Sequence, residues 1–346
     1  MLPPRLHSRR RNPDESIRQT DGDASQARLS AVRKRYLNDP FIALLVPQPH
    51  LLPSRPPLIN IGTYIRSEAI DELVVSWLQH NAASGSKVQI VSLGAGSDTR
   101  FWRLATGLLG GDLSRSIARY LELDFAENTS TKIRAIQVNK ELNSVLGEAQ
   151  ISGASLVSDV YAIRDMDLRN SRHVLQDILI KSDEQPLGLL DTSLPTLVLC
   201  ECVLCYMTQE QSDSLLKWFS DTFDQPAVII YEMYGLNDSF GRVMKDNLRS
   251  RNVTLPGVDA YPTLDDQTRR YTNNGFPSAH ALSLKTIRSQ YIDPKELNRI
   301  SRIEMLDELE ELELVLHHYF VSWAFKNATD ILRPWVLSRK VSTDSD

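Results

Sequence analysis

Apolar positions along the chain come in two alternating kinds of run. Short β-branched or aliphatic blocks at 87–93, 117–125, 161–163, 195–200 and 227–231 read as buried strands. Between and before them the spacing changes to that of helices. Ile70, Leu73, Val74, Trp77 and Leu78 form a stripe over 69–80, and 99–109, 126–141, 172–181 and 209–223 follow. Strands separated by helices predict a doubly wound, mostly parallel sheet, an α/β fold. Upstream, 27–45 reads as a helix interrupted near Asn38, Asp39 and Pro40. Pro47, Pro49, Pro53, Pro56 and Pro57 predict an extended connector. The last third changes character: helices at 238–251 and 264–273, a strand at 277–284, an acidic helix over 294–314 and a final strand at 318–325.

Composition narrows the function classes. The 346 residues suit one large α/β domain with insertions or about two ordinary domains. Acids outnumber bases by 44 to 39, which argues against a protein that coats nucleic acid. No apolar run approaches the ~18 residues of a membrane span. The three cysteines, Cys200, Cys202 and Cys205, share one short segment, unlike a secreted disulfide framework, so the expected compartment is cytoplasmic. Their spacing invites a zinc reading, but no histidine lies near to complete four ligands, and no metal is expected. His317 and His318 are adjacent on a predicted strand and would face opposite ways. No G-x-S-x-G elbow supports a hydrolase. Residues 1–25 are polar and basic, with Arg5, Arg9, Arg10 and Arg11 and no apolar core of a secretory signal; Pro3, Pro4 and Pro13 oppose the amphipathic helix of a mitochondrial presequence. They read as a disordered tail, and 331–346 as a second tail. The remainder, 26–330, is expected to be a single domain with a helical cover at 26–85 and an inserted helical segment at about 235–275.

Candidate chemistry gathers at strand ends, where open α/β sheets bind ligands. The first strand runs into Gly94-Ala95-Gly96-Ser97, two glycines that admit a ligand to the backbone. A dinucleotide fingerprint needs a third glycine at position 99, where the chain has threonine, which weakens a nicotinamide or flavin reading. The second strand ends in Asp124, an acid placed to bind ribose hydroxyls. The third leads to Asp167 and Leu168, an acid and an apolar cover suited to an adenine. The fourth ends in Glu201, which follows a buried run and therefore needs a partner.

The ordered pieces Asn60-Ile61-Gly62-Thr63-Tyr64-Ile65-Arg66, Leu93-Gly94-Ala95-Gly96-Ser97-Asp98, Glu122-Leu123-Asp124-Phe125, Glu201-Cys202-Val203-Leu204-Cys205-Tyr206-Met207 and Phe240-Gly241-Arg242-Val243-Met244 resemble those of the leucine carboxyl methyltransferases. So does Leu306-Asp307-Glu308-Leu309-Glu310-Glu311, followed by His317-His318-Tyr319. The resemblance covers roughly 27–326. It implies a class I methyltransferase fold, S-adenosylmethionine as cofactor, and as acceptor the C-terminal leucine of the protein phosphatase 2A catalytic subunit, bound by a monomer that engages neither nucleic acid nor membrane. By this resemblance Arg66 serves the cofactor or substrate carboxylate, Gly94 the cofactor loop, Asp124 the ribose, Asp167 and Leu168 the adenine side, and Glu201 the methionine moiety. Tyr206 lines the acceptor site, and Arg66 and Tyr206 are the catalytic candidates. Arg28 stands where animal members carry a lysine and is counted by this resemblance among the cofactor-binding residues, offering a planar fork in place of a point charge. Two other readings compete: a relative acting on a small carboxylate or tRNA, and a non-catalytic phosphatase-binding protein. The tRNA-modifying relatives carry an added propeller, with repeats of about 50 residues.

Overall fold

A computed structural model describes residues 13–170, 172–181, 188–307, 309–326 and 335–340. Two helices open it, α1 (Pro13–Arg18) and α2 (Thr20–Arg33), followed by the short α3 (Ile42–Leu45). Residues 13–25 are therefore helical, which corrects the tail expected there; 1–12 lie outside the described residues. The proline connector is extended apart from Gln48, left-handed at φ +46°, and the 3-10 turn Pro49–Leu51 that it opens. It ends where Pro56 and Pro57 start α4 (Pro57–Ala83), since a proline at the first helical position loses no hydrogen bond. The 60–66 motif thus lies inside α4 rather than ahead of it.

The strands are β1 (Val88–Leu93), β2 (Ile117–Asp124), β3 (Ala149–Ser152), β4 (Ser155–Ser158), β5 (Tyr161–Asp165), β6 (Thr196–Glu201), β7 (Pro226–Met233), β8 (Ser278–Ser283) and β9 (Tyr319–Phe325). They form one sheet in the order β3-β4-β5-β2-β1-β6-β7-β9-β8. The five central strands, β5-β2-β1-β6-β7, are parallel, and antiparallel pairs finish both edges. This is the doubly wound α/β fold of a class I methyltransferase. Helices α5 (Arg100–Ala105), α6 (Ala126–Val138), α7 (Lys140–Asn143), α8 (Arg172–Leu179) and α9 (Gln209–Thr222) fill the crossovers. Beyond β7 come α10 (Ser239–Ser250), α11 (Leu264–Asn273), α12 (Leu284–Gln290), α13 (Pro294–Ser301) and α14 (Leu309–His317).

Both sheet faces are packed. Val88 and Ile90 of β1 join a layer holding Trp77, Trp102 and Trp323, while Val91 and Leu93 join a layer with Trp218 and Phe219. The segment 335–340 belongs to the first layer and corrects the expectation of a C-terminal tail there. Trp335 is fully buried, donates from Nε1 to the Leu73 carbonyl at 2.9 Å, and accepts from Trp323 Nε1 at 3.0 Å. The helix expected over 294–314 is broken into α13 and α14. Between them Glu304 turns inward to accept from Asn60 Nδ2 and Lys34 Nζ, each at 2.8 Å. His317 ends α14 and His318 follows it, so the pair lies before the last strand and not on it.

Candidate active site

The register aligns the ends of the parallel strands. Leu93 of β1 pairs with Leu123 of β2 on one side and with Cys200 of β6 on the other. From β1 the strand order runs outward in both directions, which leaves a crevice above its carboxyl end. A cavity of about 680 Å³ lies there, lined by all eight residues singled out from the sequence: Arg28, Arg66, Gly94, Asp124, Asp167, Leu168, Glu201 and Tyr206.

The glycine loop is tight. Gly94 has φ +58°, and a Cβ there would come within 2.6 Å of Val203 Cγ2. At Gly96 a Cβ would collide with the Asp21 carboxylate. Gly96 N donates to Asp124 Oδ2 at 2.7 Å, while Phe125 N and Asn128 Nδ2 donate to Asp124 Oδ1 at 2.7 and 3.0 Å. Burial raises the Asp124 pKa against these donors, and the carboxylate keeps lone pairs for a further hydroxyl. Thr99, where a dinucleotide site would have glycine, is fully buried and donates to Asp39 Oδ2 at 2.6 Å.

A buried charge network forms the floor. Arg100 donates to Glu201 Oε1 at 3.0 Å, Asp98 Oδ2 at 2.7 Å and Asp71 Oδ1 at 3.0 Å. Arg103 holds both oxygens of Asp71. Burial would raise the Asp71 pKa, but Arg103 and Arg100 outweigh it and hold the carboxyl far below its ordinary value. Glu201 also approaches Arg66, Oε2 to Nε at 3.3 Å, so its partner is a pair of arginines. Arg66 lies over the Tyr231 ring at 5.0 Å, and Tyr231 stacks on Tyr319 at 5.4 Å. Burial works against its charge, yet Glu201 more than compensates and the Arg66 pKa is raised. Its Nε is buried without a hydrogen-bond partner. Arg28 lines the cavity, but its Nε is committed to Asp39 Oδ2 at 2.5 Å and its Nη1 to Ser67 at 3.0 Å. Two of its donors therefore serve the protein, where the resemblance assigned it to a cofactor. Tyr206 sits on a 3-10 turn, Leu204–Tyr206, whose Cys205 N donates to the buried Glu232 at 2.8 Å. Burial lifts the Tyr206 hydroxyl well above its ordinary pKa, so it stays protonated. Cys200 and Cys205 are buried free thiols, and burial pushes Cys202, at the cavity wall, up to about 12.

The opening helices and α10 roof the cavity. Asp21 of α2 accepts from Ser97 N and Ser97 Oγ, both at 2.8 Å. Arg169 bridges Asp167 to Asp14 of α1 through contacts of 2.7–3.0 Å, and it shares the Phe125 ring with Arg18. Asp23 is gripped by Arg55 at 2.9 Å and by Arg251, just past α10. Sequence reasoning missed Asp21, Arg100, Asp71 and Arg169. Asp71 and Arg103 were detectable as charges on apolar helical stripes, which need partners. Asp21 carried no such signal.

The family model for leucine carboxyl methyltransferase matches residues 16–220, from within α1 to α9. That span holds the glycine loop, the charge network and every residue predicted for the site. Over 94% of its length the chain is 42% identical to leucine carboxyl methyltransferase 1 of Cryptococcus neoformans var. neoformans, covering 98% of that protein. It is 37% identical to the protein of that name from Schizosaccharomyces pombe, over 89% of this chain and 94% of the relative. The leucine carboxyl methyltransferase 1 homolog of Arabidopsis thaliana is 34% identical over 94% of this chain and 93% of its own. Matched through its glycine loop and charge network and over nearly all of its length, the chain belongs to the leucine carboxyl methyltransferase family.

Proposed function

We propose that the protein moves the methyl group of S-adenosylmethionine to the α-carboxylate of a C-terminal leucine, that of a protein phosphatase 2A-type catalytic subunit. The observation that carries this reading is Arg66: a buried guanidinium at the cavity floor whose Nε lacks a hydrogen-bond partner. The residues suit the cofactor. The glycine cradle admits it to the backbone, Asp124 would take ribose hydroxyls, Leu168 would cover an adenine, and Glu201 would face its cationic end. When bound, S-adenosylmethionine supplies an electrophilic methyl group on a cationic sulfur.

The chain itself has little proton chemistry to do. A C-terminal carboxylate has a reference pKa near 3.3–3.7 and is already ionised at neutral pH. What it needs is orientation and removal of water. Arg66 would orient it through a planar fork. Because Glu201 shares that guanidinium, the carboxylate is held without being fully neutralised and stays nucleophilic. Met244, Leu248, Val315 and Tyr319 give the cavity an apolar wall suited to a leucine side chain. Tyr206 would donate a hydrogen bond at the acceptor side. The roof formed by α1, α2 and α10 would exclude water.

The test is incorporation of label from methyl-labelled S-adenosylmethionine into the phosphatase catalytic subunit, with and without its last residue. Label is expected only with the leucine present. Loss of a charge-assisted hydrogen bond costs about 1.5–3 kcal/mol, so Arg66→Ala should lower transfer at least about tenfold at saturating cofactor. Arg66→Lys should recover part of it. Label in the truncated subunit, or full transfer by folded Arg66→Ala, would overturn the reading.

A further inference from the structure

Arg100 is 3% exposed and occupies all three edges of its guanidinium with carboxylates from three elements. Asp71 comes from α4, Asp98 from the glycine loop and Glu201 from the end of β6. Asp71 is itself fixed by Arg103. The fork is therefore anchored on two sides before it reaches Glu201, and its grip on Oε1 at 3.0 Å sets where that carboxylate stands. The other oxygen, Oε2, is left 3.3 Å from Arg66 Nε without completing a hydrogen bond. Among the described residues the one hydrogen bond to the Glu201 carboxylate is that of Arg100, whereas a bidentate pair is the favoured geometry for Arg66.

We propose that Arg100 is a positioning residue: it limits Glu201 to one contact with Arg66, 3.3 Å at Nε, and so keeps the rest of the Arg66 guanidinium available to the acceptor carboxylate. This rests on the acceptor reading given above. The formal charges agree with it. Arg66, Arg100 and Arg103 balance Asp71, Asp98 and Glu201, so the network alone neither attracts nor repels a carboxylate. Acceptor affinity then depends on which group faces Arg66. Without the fork, Glu201 closes on Arg66 and competes directly with the acceptor. A lysine keeps the charge but cannot span three fixed carboxylates.

The experiment measures methyl transfer to the phosphatase catalytic subunit at saturating S-adenosylmethionine, with melting temperature and cofactor affinity measured alongside. Arg100→Lys is expected to raise the acceptor KM about tenfold at saturating cofactor, with kcat changed less than about threefold and a separate loss of cofactor affinity, since Glu201 also faces the cofactor's cationic end. In a Glu201→Gln background, where the competing charge is gone, the same substitution should shift the acceptor KM less than about twofold. A role confined to tying α5 to α4 would instead lower the melting temperature and move every parameter in both backgrounds. An unchanged acceptor KM in folded Arg100→Lys, or an equal rise with and without Glu201→Gln, overturns the proposal. Should Arg100→Lys not fold, Asp98→Asn removes one anchor of the fork, and a rise of about threefold suppressed by Glu201→Gln is expected; no rise, or an unsuppressed one, counts against it. Absence of transfer by the wild-type protein overturns the acceptor reading itself, an outcome distinct from these.

Discussion

The sheet and its roof are held together by different forces. Every residue of β1 and β7 is buried, and the helices pack aliphatic and aromatic side chains against both faces. That attachment is apolar, without direction, and worth about 25 cal/mol per Å². The roof also buries apolar side chains, Ala31 of α2 in the main core and Met244 and Leu248 of α10 against Cys205 and Met233, but at the rim of the site its contacts are carboxylates: Asp21 on Ser97, Asp14 on Arg169, Asp23 between Arg55 and Arg251. Each such contact is worth about 0.5–1.5 kcal/mol, with the exposed ion pairs at the low end. The roof can therefore release a ligand at a cost far below that of unfolding, while the strand ends keep their places.

The strongest challenge to this contrast is made at the sheet. Trp335 fills the layer beneath β9 and uses both its ring N–H and its carbonyl there. Trp335→Ala should cost about 3–5 kcal/mol of stability, as for other buried aromatics. Denaturant midpoints will measure it. A loss under about 1 kcal/mol would mean that this segment is an accessory and not part of the platform.

A smaller effect separates the regions by pH. Burial raises the Glu122 carboxyl of β2 to about 7 even though Lys132 opposes the shift, whereas Arg169 lowers the pKa values of Asp14 and Asp167. An unfolded chain releases the Glu122 proton near 4.5, so between there and about 7 the folded state binds more protons. Stability from this group falls as pH rises through that window and is flat above it. The roof has the opposite sign: the Asp14 and Asp167 contributions are complete above the ordinary carboxylate range and vanish as pH falls below it. Glu122→Gln should remove on the order of 3 kcal/mol of pH-dependent stability between those limits. Melting curves at a series of pH values compare it with wild type; an unaltered slope would place Glu122 outside the titrating core.

The same division explains what could be read from the sequence. Central strands and crossover helices were recoverable because burial imposes periodicity, and 264–273 falls on α11 residue for residue. The β3–β4 hairpin was invisible. β3 is largely exposed and only four residues long, too short for its alternation Ala149-Gln150-Ile151-Ser152 to stand out, and it turns into β4 through two residues at Gly153, φ +60°. At the site, Gly94, Asp124 and Glu201 were readable because a strand end fixes where the following residue stands. Asp21 was not, because its partner Ser97 is 76 positions away and nothing local distinguishes it from a solvated acid. Arg100 followed the glycine loop directly and Asp98 stands two residues before it, but Asp71 and Glu201 come from distant segments that only the fold brings together.

Asp21→Asn is the mildest and most selective probe of the contrast. The Asp21 carboxylate receives two donors from Ser97 and closes α2 onto the glycine loop. An amide oxygen can accept from the Ser97 backbone, but its NH₂ cannot accept from the hydroxyl, and the charge that strengthens both bonds is gone. The loss is about 1–1.5 kcal/mol in a half-buried setting, and it falls on the roof alone. Asp124 is affected in the same direction, since the nearby Asp21 charge adds to the rise of its pKa and the substitution removes that influence. Release of S-adenosylhomocysteine, followed by stopped-flow fluorescence, should quicken by about tenfold. The denaturant midpoint should stay within the error of wild type, because no buried apolar contact is disturbed. Faster release with unchanged stability would establish that roof and sheet move independently. If stability falls in step with release, the roof is part of the cooperative unit, and the division drawn between the two regions fails.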